Sequence, residues 1–220
     1  MTRILERLHW RQASYPFDWV FTSPQILHDI ISTDFQDFLN PEYYCNVKHS
    51  QFGDRSAGHK KYHEDFFGHK NPRTPEDYEY YVRCVERFRD MLTTTKPKIF
   101  MMLYSPENTR HPEDYANMSR IHQEEYLASG SELIYQTLRN VTDNFRVVTL
   151  NVCPSYRQDF HRVVISHQEI LTIHTLTCST GRKFDDGTYT DGVHCTDWHP
   201  DNLYVSGLLS ELYPLHRMLK

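Results

Sequence analysis

Three short apolar runs in the second half of the sequence constrain the fold more than any other feature. They cover residues 98–104, 145–152 and 170–176, and each is rich in β-branched or aromatic side chains. A stretch with helical spacing, residues 119–138 with an interruption at Gly130, separates the first two runs. This strand-helix-strand order is typical of a parallel sheet, and strands this apolar are normally covered on both faces. The sequence therefore predicts an α/β fold with a mostly parallel sheet flanked by helices.

Helix signals surround this pattern. Ser23-Pro24 and Thr74-Pro75 each place a capping side chain before a proline, which suits the first helical position, and apolar residues then recur at helical spacing. A last helix is predicted for residues 200–212. No internal repeat or Gly/Ser linker divides the chain, so we expect one domain over residues 1–220.

Residues 42–71 are polar, rich in His and Tyr, and show no sustained periodicity. They predict a long His-rich loop over the active edge of the sheet, with room for one short hairpin, and long loops in compact domains usually carry function or mobility. His59 and His63 would share one face if a short helix formed there. Local hydrogen bonding in a polar surface loop is the more ordinary role for both.

Net charge, hydropathy and cysteine spacing indicate which partners, compartments and cofactors to expect. The net charge is -5 with acids and bases interspersed, which argues against a nucleic-acid partner. No run of about 20 apolar residues could span a bilayer, and the first residues lack the apolar core of a signal peptide. The five cysteines form no CxxC pair, which fits reduced thiols in the cytoplasm. No nucleotide fingerprint or HExxH motif is present, so we expect no cofactor and no metal.

The segment that precedes the last predicted helix concentrates ionisable side chains. It reads Asp191-Gly192-Val193-His194-Cys195-Thr196-Asp197-Trp198-His199. A carboxylate three residues before a histidine can orient the imidazole as a general base, so Asp191 and His194 are candidates for these roles. The same residue types could bind zinc, and a solvated or capping loop is the ordinary alternative. The Asp-Gly-Val-His string resembles the closing Asp-x-x-His block of SGNH esterases, although the opening Gly-Asp-Ser block of that family is absent.

Cys153 follows the second apolar run, at a strand end where open α/β sheets place their sites. A reactive thiolate there would need a neighbouring cation, and a buried inert thiol is the ordinary alternative. Because no such partner is visible in the sequence, the inert thiol is the favoured interpretation.

Residues 11–23 carry the most distinctive motif in the chain. They read Arg-Gln-Ala-Ser-Tyr-Pro-Phe-Asp-Trp-Val-Phe-Thr-Ser. Pro16 stiffens the backbone, while Phe17 and Trp19 offer large areas for burial. Asp18, between aromatic rings, must be capped or paired to avoid an unpaired buried charge. It is either a structural hydrogen-bond anchor or a site residue.

This motif resembles the Arg-x-x-Ser-x-Pro-Phe-Asp-Trp signature of a family described as papain-like cysteine peptidases. Three later strings continue the resemblance: Asp34-Phe35-x-x-Phe38-Leu39, His63-Glu64-Asp65-Phe66 and Arg83-Cys84-Val85-Glu86-Arg87-Phe88. The specific match covers about the first hundred residues. The family's opening strand, Ser-Leu-Gly turn and expected nucleophilic cysteine have no counterpart, and the chain begins at what resembles the helix after that turn.

The resemblance implies a hydrolase with a cysteine nucleophile, in an active or a catalytically degenerate form. It implies His63 or His194 as the base, with Asp18 or Asp191 among the groups behind the ring. Two alternatives stay open at this point. One is an SGNH-like esterase or glycan-processing enzyme that uses Asp191 and His194, and the other is a non-catalytic binding module. The expected partner is accordingly a peptide, ester or glycan.

Overall fold

The computed structural model describes residues 11, 13–47, 53–104, 119–151, 162–167, 169–174 and 200–212. The fold is mixed α/β, with helices and two separate sheets. The chain divides into two compact units. The N-terminal unit consists of Ala13–Thr95 and Gln136–Asp143, and the mixed-sheet unit takes the other described residues. The assignment of one domain to residues 1–220 stays a prediction.

Two helices and three short strands build the N-terminal unit. The helices are α1 (Pro24–Ser32) and α2 (Pro75–Thr93), and the strands are β1 (Tyr44–Cys45), β2 (Ala57–His59) and β3 (His63–Phe67). Single 3₁₀ turns occupy Pro41–Tyr43 and Gly53–Arg55.

Both helix starts form as the capping residues predict. The Ser23 hydroxyl accepts a hydrogen bond from the Ile26 amide at 3.3 Å, and the Thr74 hydroxyl accepts one from the Asp77 amide at 3.4 Å. Each proline then occupies the first turn, where its missing amide hydrogen is not needed. The first helix ends at Ser32.

The prediction of a long loop over residues 42–71 is wrong. β1, β2 and β3 form a three-stranded antiparallel sheet in the order β1-β2-β3, and the expected hairpin is its β2–β3 part. The strands escaped detection because they are two to five residues long, and all three residues of β2, Ala57, Gly58 and His59, are buried. No alternation between buried and exposed residues can therefore mark β2.

An aromatic core fills the N-terminal unit. Phe17 stacks on Phe35 at 5.5 Å between ring centroids and meets the edge of Phe88 at 5.5 Å. Phe38 joins the same core through Phe17, at 6.3 Å, and through Phe66, at 6.0 Å. These rings come from the signature and from each of the three later strings, so the residues that carry the family resemblance are packed together.

The mixed-sheet unit is built around four strands. They are β4 (Lys98–Tyr104), β5 (Phe145–Asn151), β6 (Arg162–His167) and β7 (Ile170–His174), in the sheet order β4-β5-β7-β6. β4, β5 and β7 are parallel, as predicted from the apolar runs, and their positions are confirmed. β6 was missed, and it pairs with β7 in the antiparallel direction because only residues 168 and 169 connect them.

The prediction of a mostly parallel sheet is therefore wrong for the chain as a whole. The sheet of the N-terminal unit is entirely antiparallel, and the larger sheet is mixed. The coarser prediction of an α/β fold is confirmed.

Helices cover both faces of the mixed sheet. One face packs Val148, Leu150, Leu171 and Ile173 against Val205 and Leu209 of α4 (Pro200–Leu212). The other face packs against α3 (Arg120–Arg139), where Tyr104 and Met102 meet Leu127 and Tyr126. Residues of α3 from Gln136 onward belong to the N-terminal unit. The predicted helices at 119–138 and 200–212 are confirmed, and Gly130 does not interrupt α3.

Within the described ranges, no helix is both long and apolar enough to cross a membrane.

Candidate functional site

Asp18, a predicted site residue, lies in a turn of the signature segment. Its Oδ2 accepts a hydrogen bond from the Tyr15 backbone amide at 3.0 Å, and the Asp18 amide in turn donates to the Tyr15 carbonyl at 3.3 Å. These contacts give the carboxylate the role of a structural anchor for the turn. A part for Asp18 in catalysis stays a prediction.

Polar side chains of α2 bind this signature segment. Arg87 donates from Nε to the Ser14 carbonyl and from Nη2 to the Cys84 sulfur, each at 3.0 Å. Tyr80 hydrogen-bonds to both Ser14 and Cys84, and burial is the main cause that raises its pKa to about 12. Cys84 is fully buried, so its thiol is closed to a substrate, and it hydrogen-bonds to the two α2 side chains, Arg87 and Tyr80, that contact Ser14.

His63, a predicted candidate for the base, is buried at the start of β3. Its Nδ1 accepts a hydrogen bond from the Asp65 backbone amide at 3.0 Å. His59 and His63 lie opposite each other across the β2–β3 ladder, so the alternative in which a short helix puts both on one face is wrong. No substrate-facing role for His63 follows from these contacts, and its catalytic role stays a prediction.

His194 and Asp191, the predicted base and its orienting carboxylate, lie outside the described residues, as does Cys153. Their expected roles stay predictions. In the sequence, Asp191 and His194 follow β7, and Cys153 follows β5.

The carboxyl end of the mixed sheet brings together polar residues that the sequence analysis did not single out. Tyr104, Asn151 and His174 are the last residues of β4, β5 and β7, and the ladders pair Tyr104 with Asn151 and Asn151 with His174. Adjacent residues in register point to the same face of a sheet, here the face covered by α3. All three are buried, His174 and Asn151 to within 1% of complete burial.

The N-terminal half of α3 adds two polar groups at the same end. The Tyr126 ring packs edge-on against Tyr104 at 5.8 Å, and its hydroxyl oxygen is buried. Gln123, fully buried, lies one turn nearer the helix N-terminus on the buried face that Leu127 shares. At the opposite end of the helix Tyr135 packs on Phe145, the first residue of β5. α3 therefore starts at the carboxyl end of the sheet.

Polarity increases along this face toward the carboxyl end. The second row across the three strands is Phe100, Val147 and Ile170, whereas the last is Tyr104, Asn151 and His174. Lys98 is a buried charged group at the amino end, where its Nζ donates to the Lys96 carbonyl. Because each buried polar group costs free energy unless it is hydrogen-bonded, their concentration at one end marks a candidate site.

The groups of this carboxyl-end site are hydrogen-bond donors at neutral pH. Burial raises the pKa of Tyr126 to about 12 and that of Tyr104 well above its ordinary value, so both keep their hydroxyl hydrogens. Asn151 Nδ2 lies 3.2 Å from His174 Nδ1. Open α/β sheets bind ligands outside the carboxyl ends of their strands. The arrangement can donate hydrogen bonds to an oxygen atom in a setting from which water is largely excluded.

The sequence analysis missed this site because it treated Tyr104, Asn151 and His174 only as parts of apolar strands. The available signal was positional: parallel strands end at one edge, so their last polar residues meet there. Gln123 carried no such signal, since a glutamine early in a helix is usually exposed.

Among the residues described, no group of three or more His, Cys, Asp or Glu side chains could hold a metal ion. No protein-family model, curated protein or solved structure matches the chain.

Proposed function

We propose that the chain is a hydrolase of acyl compounds, a member of the papain-like cysteine peptidase family, that acts at the carboxyl end of its mixed sheet. The observation that supports this most is the buried row of Tyr104, Asn151 and His174 at that end. Hydrolysis of a peptide or ester develops negative charge on the carbonyl oxygen. Preorganised donors in a water-poor site stabilise such charge.

The family membership has its own support in the N-terminal unit. The signature and the three later strings supply rings to one aromatic core, for example Phe17, Phe38 and Phe88. A family-specific packing of the N-terminal unit requires these strings to contact one another, as they do. In this proposal the signature specifies the packing of the N-terminal unit, and Asp18 and Cys84 serve that packing.

The nucleophile is proposed from the segments that continue from the strand ends. Cys153 follows β5 by two residues, and the segment after β7 carries Asp191 and His194. A cysteine nucleophile fits the family, and a serine or water nucleophile fits the esterase alternative. The free thiols of Cys45 and Cys84 agree with a reducing compartment, for which we propose the cytoplasm.

The test is turnover of p-nitrophenyl acetate and of a peptidyl aminomethylcoumarin by the purified chain. We expect hydrolysis of at least one, and a loss of about tenfold or more in kcat/KM for Gln123→Leu, which removes a buried amide donor at the site. Gln136→Leu is the matched control, because Gln136 is an exposed glutamine of the same helix and should leave kcat/KM unchanged.

Thiol alkylation then separates the two hydrolase classes. Loss of activity with iodoacetamide and with Cys153→Ser supports the cysteine peptidase. Resistance to iodoacetamide with loss in His194→Ala supports the esterase or glycan-processing alternative. No turnover of esters, peptides or glycosides would contradict the hydrolase and favour a catalytically degenerate binding module.

A further inference from the structure

The side chains of Asn151 and His174 are in hydrogen-bond contact. The Asn151 amide nitrogen lies 3.2 Å from His174 Nδ1, and both side chains are buried. An amide nitrogen can only donate, so Nδ1 must be the acceptor of this bond. A neutral imidazole with Nδ1 as acceptor carries its hydrogen on Nε2.

This tautomer is the opposite of the one that a general base requires. In a Ser-His-Asp triad the orienting group accepts a hydrogen bond from Nδ1, which leaves the Nε2 lone pair to take a proton. With Asn151 donating to Nδ1, Nε2 presents an N–H group instead. The contact therefore favours His174 as a donor over His174 as a base.

We propose that His174 donates a hydrogen bond from Nε2 to the carbonyl oxygen of an acyl substrate, and that Asn151 is the positioning residue that holds this tautomer. The inference rests on the hydrolase function proposed above, which it deepens by giving this end of the sheet a named role. It concerns the position of one hydrogen on the His174 ring.

The surroundings of His174 fit a donor. The row that His174 ends also contains Asn151 and Tyr104, whose amide and hydroxyl can donate hydrogen bonds. The ladder partner of His174 on β5 is Asn151, an amide and not a carboxylate. A neutral donor in a buried site strengthens its bond as the carbonyl oxygen gains charge in the transition state.

The tautomer can be measured without any turnover. Long-range ¹H–¹⁵N correlation spectra of ¹⁵N-labelled protein near neutral pH should show His174 protonated at Nε2 and not at Nδ1. Asn151→Asp should reverse this, because a carboxylate accepts from Nδ1, and Asn151→Ala should leave the two tautomers mixed. A wild-type imidazole protonated at Nδ1, or at both nitrogens, would overturn the proposal.

Kinetics then test the role. His174→Gln keeps a neutral amide donor and should retain kcat/KM to within about tenfold, whereas His174→Leu should lose about 10²-fold, as does removal of an oxyanion donor. His122→Gln, at an exposed histidine of α3, is the matched control for the substitution. Equal and large losses in both His174 variants would show a base, and unchanged kinetics in both would place His174 outside the reaction.

The two proposals fail separately. If the chain turns over no acyl substrate while His174 is protonated at Nε2, the hydrolase function and the carbonyl ligand are overturned, and the positioning role of Asn151 stands. If turnover is found with the opposite tautomer, the hydrolase function stands and this inference is overturned.

Discussion

At the scale of single residues, Gly58 is the position where the N-terminal unit tolerates no side chain. A Cβ at this position would lie 2.3 Å from the Glu64 carbonyl oxygen of β3 and 2.8 Å from the Cys45 sulfur of β1. β2 is thus clamped between its two neighbouring strands, and the sheet closes only because the middle residue of β2 lacks a Cβ.

Gly58→Ala should therefore destabilise the protein, by about 1–3 kcal/mol, because strand backbone has to move to admit one methyl group. Gly207→Ala is the matched control: Gly207 lies in α4, and a methyl group added there would meet no atom within 4 Å. It should raise stability by about 0.5–1 kcal/mol, since alanine is the better helix former. Urea unfolding measures both, and a neutral Gly58→Ala would contradict the close packing of β2.

His59 is a second residue with a testable consequence, because its surroundings lower its pKa. It is almost completely buried, stacked on Tyr62 at 4.2 Å and on Tyr43 at 5.3 Å. Its Nε2 donates to the Asp37 carbonyl at 3.0 Å, and its Nδ1 has no hydrogen-bond partner among the described residues. Burial lowers the pKa of His59, and Lys61 lowers it further, against opposing contributions from Asp37 and Asp29.

This lowered pKa gives stability a defined pH dependence. The folded state favours neutral His59, whereas the unfolded chain takes up the proton near the ordinary histidine pKa of about 6.5. His59 therefore costs no stability above that pH, and the free energy of unfolding should fall as the pH drops below it, by at most about 1.4 kcal/mol per pH unit from this residue. Urea midpoints measured from pH 7.5 to 5 should show a shallower fall in His59→Phe than in wild type. Parallel curves would rule out this assignment.

At the scale of elements, the signature segment works as a packing module for α1, α2 and the antiparallel sheet. Phe17 enters the aromatic core, while Val20 bridges to Phe67 and the Phe21 amide donates to the Phe66 carbonyl at 2.9 Å. Trp19, expected from the sequence to be buried, is 38% exposed and packs edge-on against His69. The expectation for Trp19 is wrong because Phe17 already fills the core side of the turn.

A comparison of the two aromatic residues tests this module. Phe17→Ala should cost about 2–4 kcal/mol of unfolding free energy, since it removes a ring in contact with three others. Trp19→Ala removes a larger side chain but should cost less, about 1 kcal/mol, because Trp19 is 38% exposed and lies outside the aromatic core. Chemical denaturation measures the free energy of unfolding of both variants. A larger loss of that free energy in Trp19→Ala would contradict the packing described.

Across the whole chain, the elements that were predicted correctly are those determined by short-range sequence signals. The capped helices at Pro24 and Pro75 and the three parallel strands follow from end signals and apolar runs that need no tertiary information. β1 and β6 were missed, and β2 and β3 were expected only as one hairpin without bounds, because short strands carry no periodic signal.

The same distinction applies to the candidate site residues: those close together in sequence could be predicted, and those joined only by strand pairing could not. A histidine and an aspartate close together in sequence, such as His194 and Asp191, draw attention, whereas Asn151 and His174 are 23 residues apart and meet only through the ladder of β5 and β7. The positional rule for strand ends is general, but it becomes usable only once the parallel pairing is known.

The polar carboxyl end of the mixed sheet, and not its amino end, should carry the chemistry. Tyr104→Phe and Tyr135→Phe test this prediction most directly, since each removes one hydroxyl from the face shared with α3, at opposite ends. With one ester substrate, kcat/KM should fall about tenfold or more in Tyr104→Phe, the loss of one buried donor, and stay within about twofold of wild type in Tyr135→Phe. Equal values for the two variants, or a greater loss in Tyr135→Phe, would contradict the account.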